Sequence, residues 1–360
     1  MDKLLTTFLL KKGKLGLAPI DYLLLVGMTV AGVMLRLTMW NAPLEHAPYQ
    51  NLDGTMKLIT AVFDVLVAVI GAAMVLYFTK HRIKAMLAYG ILFVLPPMVA
   101  GSAVWGMGDS IYVFIVLVSL YLLMLGRKNS NGKLFVLSLI VYGVALLLNA
   151  YALFVFPLYL IVYLTTEGKG NHIFGFSAPL LGMGLHQVLD KGSASFSAFF
   201  AAEGALSEAR YETLLSYNYP NVYQIFGPAS YIHEYGSAMR VLVLVTLIVI
   251  PLFALRRPYG WDDRRLLFGS VLLCIWVPYV MPFMDERAGL LAAVLSVIYG
   301  FVCIEQFFVP IIQVTICYLA YAAYFRGDSF LPLSYIAIAQ LLLAMYLVFC
   351  YVRDSHKVMR

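Results

Sequence analysis

The chain has 360 residues, of which 62% are hydrophobic and only 12% charged, with a formal net charge of +6 at pH 7. A water-soluble domain carries roughly 25% charged residues, so this composition excludes a soluble protein. Apolar runs of about 17 to 25 residues recur from end to end and fit an all-α polytopic membrane protein, whereas the alternating strands of roughly ten residues that a membrane barrel needs are absent.

In chain order, the opening stretch "MDKLLTTFLLKKGKLGLAPIDYLLL" does not read as a removable signal. Its first apolar run is too short, and no small-residue cleavage site precedes the next one. Hydropathy then predicts about twelve spans: 20–40, 57–79, 83–104, 110–126, 133–148, 150–166, 171–189, 239–255, 265–283, 288–304, 306–325 and 332–352. The pair 133–148 and 150–166 is short, with Asn149 and Tyr151 at its hinge, which suits half-embedded helices as well as full crossings. The whole chain, 1–360, reads as one integral membrane domain with a long external segment at 190–238. Cys274, Cys303, Cys317 and Cys350 all lie inside apolar runs, and the six His are scattered, so disulfides and metal-ligand sets are not expected.

Lys and Arg set the orientation, because they accumulate on cytoplasmic loops. With both termini cytoplasmic, the inner segments hold most of the basic residues, among them Lys12, Lys14, Lys80, Arg82, Lys84, Arg127, Lys128, Lys133, Arg256, Arg257, Arg264, Arg265 and Arg353. The positive charge thus marks a membrane leaflet and gives no reason to expect nucleic acid. The acids sort the other way, and Asp109 falls on the external face.

Several unusual stretches share that face. The first external loop, "NAPLEHAPYQNLDGTMK", offers Glu45, His46 and Asp53, and "SAVWGMGDSIY" offers Trp105 and Asp109. The hinge offers Asn149, "LSYNYPNVYQIFG" offers Asn218, Asn221 and Tyr223, and "PFMDERAG" offers Asp285, Glu286 and Arg287. Aromatic rings beside amides and carboxylates make a wall suited to a sugar, with its apolar faces and hydroxyl edges. The competing reading is an interfacial aromatic belt, which gathers Trp and Tyr in any membrane protein. Arg36 and Asp64 fall within the hydrocarbon and each needs a partner or a wet cavity. Either they pair and fix the packing of the first two helices, or they line a cavity open to the outside.

These stretches resemble motifs of polyprenyl-phosphate-sugar-dependent glycosyltransferases of the GT-C fold, the bacterial membrane enzymes related to dolichyl-phosphate mannosyl- and glucosyltransferases. "KLITAVFDVLVAV" is similar to the family's second-helix pattern ending in Phe-Asp, and "SAVWGMGDSIYVFIVLVSLYLLMLGR" to its Ser-Ala-x-Trp-Gly-Gln-x-Asp-Ser-Ile-Tyr segment. "LSYNYPNVYQIFG" resembles the external Asn-Ala-Pro-Asn-Leu-Tyr motif, and "PFMDERAGLLAAVL" the late Met-His-Glu-Arg-Tyr motif. The four occur in the family's order. Met107 stands where the family carries Gln, Asp285 where it carries His and Ala288 where it carries Tyr. The stretch between 41 and 56 is also short for a family that places a catalytic Asp and membrane-surface helices there, as in a shortened or degenerate member.

The resemblance implies transfer of a mannose- or glucose-like hexose from a polyprenyl-phosphate donor to a glycan or lipid-linked acceptor at the extracytoplasmic face of a cell membrane. It implies Asp53 or Glu45 as general base, and Arg287, with Arg36, as cations for the donor phosphate. Trp105, Asp109, Asn149, Asn218, Asn221, Tyr223, Asp285 and Glu286 would contact sugar or acceptor, and Asp64 would be structural or line the cavity. No metal-ligand spacing is evident and no cofactor is identified, although a carboxylate cluster could hold Mg or Mn weakly. The expected partners are membrane lipids, the lipid-linked sugar and its acceptor. A twelve-span secondary transporter is the rival from another class, but no internal repeat relates the two halves. A lipid-linked glycan flippase or a non-catalytic glycan-assembly partner are further alternatives.

Overall fold

The computed structural model describes residues 18–40, 54–129, 131–165, 175–191, 215–227, 241, 245, 262–327 and 329–357. The described residues are almost wholly helical. The sole extended pairing among them is one parallel bridge between Ser216 and Met284. The long helices are α1 (Pro19–Met39), α2 (Gly54–Thr79), α3 (Arg82–Phe93), α4 (Pro96–Val99, running into a π-helical turn Ala100–Trp105), α5 (Asp109–Lys128) and α6 (Gly132–Leu148). A 3₁₀ turn, Ala150–Val155, leads into α7 (Phe156–Thr165), followed by α8 (Ser177–Lys191) and the single turn α9 (Tyr223–Phe226). Then come α10 (Asp263–Val280), a 3₁₀ turn Glu286–Gly289, α11 (Leu290–Val302), α12 (Phe308–Arg326) and α13 (Leu333–Lys357).

Among the described residues, five helices are long and apolar enough to cross a membrane: Pro19–Met39, Gly54–Thr79, Asp109–Lys128, Ile304–Arg326 and Leu333–Arg353. The pair Arg82–Phe93 and Pro96–Trp105, bent by 43°, is a broken span or a re-entrant loop and brings the number to six if it counts as one span. The bend has a visible cause. Pro96 and Pro97 cannot donate backbone hydrogen bonds to a preceding turn, so the predicted continuous span 83–104 breaks there. The other predicted runs give shorter or more polar helices. Gly132–Leu148 and Ala150–Leu164 are short and apolar, Ser177–Lys191 and Leu290–Val302 have 15 and 13 residues, and Asp263–Val280 opens on charged residues and contains Pro278. By length and composition the described residues therefore supply five or six crossings, fewer than the twelve expected. The predicted span 239–255 and most of the segment 190–238 lie outside the described residues.

The bundle is built around α11, in which Leu290 to Phe301 are all buried and which packs on α2, α3, α10 and α12. Lipid tails are as apolar as Leu, so helices in a bilayer associate through close packing of small residues and through polar contacts. Both devices are present. Gly143 of α6 and Gly182 of α8 meet backbone to backbone, and a Cβ on Gly143 would lie 2.5 Å from the Ala178 carbonyl oxygen. On α1 the buried residues are Gly32 and Arg36, while Leu23, Val26, Met34 and Leu37 face outward. Thus α1 docks through Gly32, the Arg36 charge and a hydrogen bond between the Thr29 and Tyr89 hydroxyls at 2.7 Å.

The two ends of the bundle are chemically distinct. The 20 residues of α5 run from Asp109 to Lys128, about 30 Å at 1.5 Å per residue. Tyr77, near the end of α2, donates to Asp263 at the start of α10 at 2.6 Å, and Arg127 lies 3.5 Å from the same carboxylate. Lys80, Arg127, Lys128 and the first turn of α10 therefore share one end. Asp109, Asp285, Glu286 and Arg287 gather at the other. All four cysteines are free thiols.

Candidate functional site

The acidic end is assembled by two unusual turns. In "WGMGD", Gly106 adopts φ 78°, a left-handed conformation open to glycine at little strain. That bend lets the Gly101 carbonyl accept from the Gly106 N–H at 2.8 Å and the Met107 N–H at 3.0 Å, closing the π-helical turn and starting α5 at Asp109. In "MPFMDER", Phe283 holds φ 63°, strained for a residue with a bulky side chain. The segment 215–227 fastens this second turn. The Phe283 N–H donates to the Leu215 carbonyl at 2.7 Å and the Tyr217 N–H to the Met284 carbonyl at 3.2 Å.

Around these turns, residues from four separate stretches converge. The Arg287 Nη2 lies 2.9 Å and its Nε 3.1 Å from Asp285 Oδ2, and the Arg287 backbone N–H donates to Asp285 Oδ1 at 3.0 Å. The Tyr151 hydroxyl donates to Asp285 Oδ1 at 2.7 Å, so Asp285 is fixed from both sides. The Arg287 Nη1 lies 3.9 Å from Asp109 Oδ1, a looser contact. The guanidinium also sits 6.0 Å from the Trp105 ring, which stacks on Tyr324 at 4.5 Å. All four of Trp105, Asp109, Asp285 and Arg287 are buried. Among the described residues, Asp109 Oδ2 and the Trp105 indole N–H have no hydrogen-bond partner. Buried polar atoms without partners are rare in proteins and ask for a role. Here one acceptor and one donor are left beside a single cation.

Beside this group, the Asn218 amide donates to Glu286 Oε2 at 3.3 Å. Burial, and then the adjacent Asp285 carboxylate, push the Glu286 carboxyl up to about 8. Glu286 is therefore held mostly neutral at pH 7.

A second buried pair joins the first through α5. The Arg36 Nη2 lies 2.6 Å from Asp64 Oδ2 and its Nε 3.1 Å, while Nη1 donates to the Gly32 carbonyl at 3.1 Å. The guanidinium covers the Phe93 ring at 4.2 Å. The Ser110 hydroxyl donates to the other Asp64 oxygen, and Ser110 follows Asp109 in the first turn of α5. A polar line thus runs from α1 through Asp64 and α5 to Arg287 and Tyr151.

The sequence-predicted residues fall into four groups. Trp105, Asp109, Asp285 and Arg287 meet directly, with Asn218 and Glu286 alongside. Asn149, Asn221 and Tyr223 belong to the same region but are engaged in its scaffold. Asn149 accepts from the Tyr151 N–H at 2.8 Å, Asn221 donates to the Met281 carbonyl at 3.3 Å, and the Tyr223 hydroxyl donates to the Val280 carbonyl at 3.1 Å. Arg36 stands apart from this group: its guanidinium donates to Asp64 and Gly32 and covers Phe93, which makes it a tie between α1 and α2. Glu45 and Asp53 lie outside the described residues. Among the described residues, no group of three or more His, Cys, Asp or Glu side chains is placed to hold a metal ion such as Mg or Mn. Tyr151 and Ser110 are contacts that sequence reasoning did not select. Tyr151 stood at the hinge, but nothing in "LLNAYALF" points it toward a residue 134 positions away.

No protein-family model, curated protein or solved structure matches this chain.

Proposed function

We propose that the chain is an integral membrane glycosyltransferase that takes a hexose from a polyprenyl-phosphate donor. The observation that carries this reading is the meeting of Asp109 and Trp105 from one motif with Asp285 and Arg287 from another, 176 positions apart at Asp109–Asp285, with Asn218 of a third motif close by. The aromatic stack of Trp105 on Tyr324 offers an apolar wall. The free oxygen of Asp109 and the indole N–H offer the acceptor and donor that sugar hydroxyls pair with.

In the proposed reaction an acceptor hydroxyl oxygen forms a bond to the anomeric carbon, and the bond from that carbon to the phosphate oxygen breaks. The electron pair leaves with the lipid phosphate, and the hydroxyl proton passes to a carboxylate base, Asp53 or Glu45. Such a base contributes about 10²–10⁴-fold. Charge concentrates on the departing phosphate, and a fixed cation aimed at it lowers the barrier. Arg287 takes that role. Asp285 holds it on two donors, whereas Asp109, at 3.9 Å, is the carboxylate a phosphate can displace.

The basic end, carrying Lys80, Arg82, Arg127 and Lys128, is taken as cytoplasmic and the Arg287 end as extracytoplasmic. Both termini then lie in the cytoplasm, and the crossings number about twelve once the shorter apolar helices span. The test is incubation of the purified chain with polyprenyl-phosphate hexose and a protein-free lipid and glycan extract that supplies acceptor hydroxyls. The proposal expects release of lipid phosphate, which stops in Asp53→Asn or Glu45→Gln with the protein still in the membrane. A carrier or a scaffold would leave the donor intact.

A further inference from the structure

The end of the bundle opposite Arg287 carries a second constellation, independent of the proposed glycosyl transfer. The Tyr77 ring of α2 lies beneath two ammonium groups, Lys80 Nζ at 4.9 Å from its centroid and Lys128 Nζ at 5.1 Å. The two lysines come from the ends of different helices. Lys80 follows α2 with φ 58°, the left-handed conformation in which helices commonly end. Like charges brought to one ring repel each other, and an anion bound between them would relieve that repulsion.

The acids nearby do not supply that anion. Asp263 accepts from the Tyr77 hydroxyl at 2.6 Å and faces Arg127 at 3.5 Å, while Asp262 caps α10 by accepting from the Arg265 N–H at 2.9 Å. Among the described residues neither Lys80 nor Lys128 pairs with a carboxylate, and both are exposed. Arg264, also exposed, adds to the excess positive charge on the same turn of α10.

We propose that Lys80 and Lys128 form a binding site for the phosphate of an acidic phospholipid. The lipid source is argued from the apolar side chains around the pair. Leu76 stands one turn before Lys80 on α2, and Ile83 and Leu87 stand one turn apart on α3 just after it; all three are exposed, Ile83 at 71%. A headgroup on the two ammonium groups would lay its acyl chains along these residues, which a soluble phosphate cannot use. Tyr77 keeps the ammonium groups in place by cation–π attraction, and clustered basic residues beside membrane helices attract anionic lipid in this manner.

The test uses the full chain in detergent, reading thermal stability against added phosphatidylglycerol or phosphatidylcholine. Phosphatidylglycerol is expected to raise the melting temperature and phosphatidylcholine to leave it unchanged. Lys80→Gln with Lys128→Gln should weaken the phosphatidylglycerol response about tenfold or more in apparent affinity, and Lys80→Arg with Lys128→Arg should keep it. Lys57→Gln with Arg353→Gln removes the same charge elsewhere and should respond like the parent. Lys128→Gln alone, at an exposed helix end, replaces the double variant if the latter does not fold. A parental response in the Lys→Gln variants, an equal loss in the control pair, or the same protection from sodium phosphate without lipid would each overturn the proposal.

Discussion

Arg36 and Asp64 face each other across α1 and α2 with both the Nε and Nη2 of the arginine on one carboxylate oxygen, the closer at 2.6 Å. Gly32 lies one turn earlier on α1, where a Cβ would strike the Phe93 ring that the guanidinium covers. The first helix is thereby held to the bundle by this charged tie and close approach, together with the Thr29–Tyr89 hydrogen bond, with most of its surface exposed.

Removing one partner of a buried pair leaves the other charge uncompensated, which costs about 3–5 kcal/mol. Arg36→Ala should therefore lower thermal stability sharply. The double variant Arg36→Ala/Asp64→Ala should recover a good part of the loss. Melting of the purified variants checks this, and equal damage in single and double variants would contradict the pairing as the origin.

The turn before Asp109 gives a sharper contrast. Gly106 has φ 78°, and Gly108, two residues on, has φ −74°. An alanine at Gly106 should cost about 1–2 kcal/mol from backbone strain. At Gly108 the added Cβ would meet the Ile111 side chain at an ordinary 3.4 Å. Gly106→Ala should reduce stability and displace Asp109, whereas Gly108→Ala should be tolerated. Paired melting curves decide it.

Tyr151→Phe removes the hydroxyl that donates to Asp285. A hydrogen bond to a charged group contributes about 1.5–3 kcal/mol, so a loss in that range is expected in thermal or denaturant stability. Because Asp285 also orients Arg287, the proposed transfer should fall more than stability alone would explain at temperatures where the variant is fully folded.

Glu286 sets a pH dependence with a definite sign. Its folded pKa, up at about 8, lies above the ordinary carboxyl value in the unfolded chain, about 4.3. The folded state therefore binds the proton more tightly, and stability from this group falls as pH rises between those two values. Glu286→Gln should flatten that decline, gaining on the parent at pH 9 relative to pH 5. Parallel pH–stability curves for the two proteins would contradict the shift.

Much of the helical architecture is legible in the sequence because bilayer thickness imposes a simple length rule on apolar runs. The rule is silent on where a run is interrupted or packed inside the bundle. Pro96 and Pro97 sit inside a continuous apolar stretch, and hydropathy does not register the bend they impose. Residues 290–301 are apolar because they form the centre of the bundle, a case that hydropathy does not distinguish from a lipid-facing span. For the site, the grouping of "WGMGD" with "MDER" follows from motif order, but the use of each side chain does not. Asn221 and Tyr223 carry the chemistry of sugar contacts, yet their polar atoms close the loop onto Met281 and Val280. Such assignments depend on where a backbone carbonyl points, and nothing local in the sequence encodes that.

The central claim is that Asp109 and Arg287 act as one site on a lipid-linked sugar, and a double-mutant cycle on donor turnover tests it most directly. Release of polyprenyl phosphate is measured for the parent, Asp109→Asn, Arg287→Ala and the double variant, each checked for intact folding. The account predicts strong loss in each single variant and little further loss in the double. No release by the parent protein, or losses that simply multiply, would contradict it.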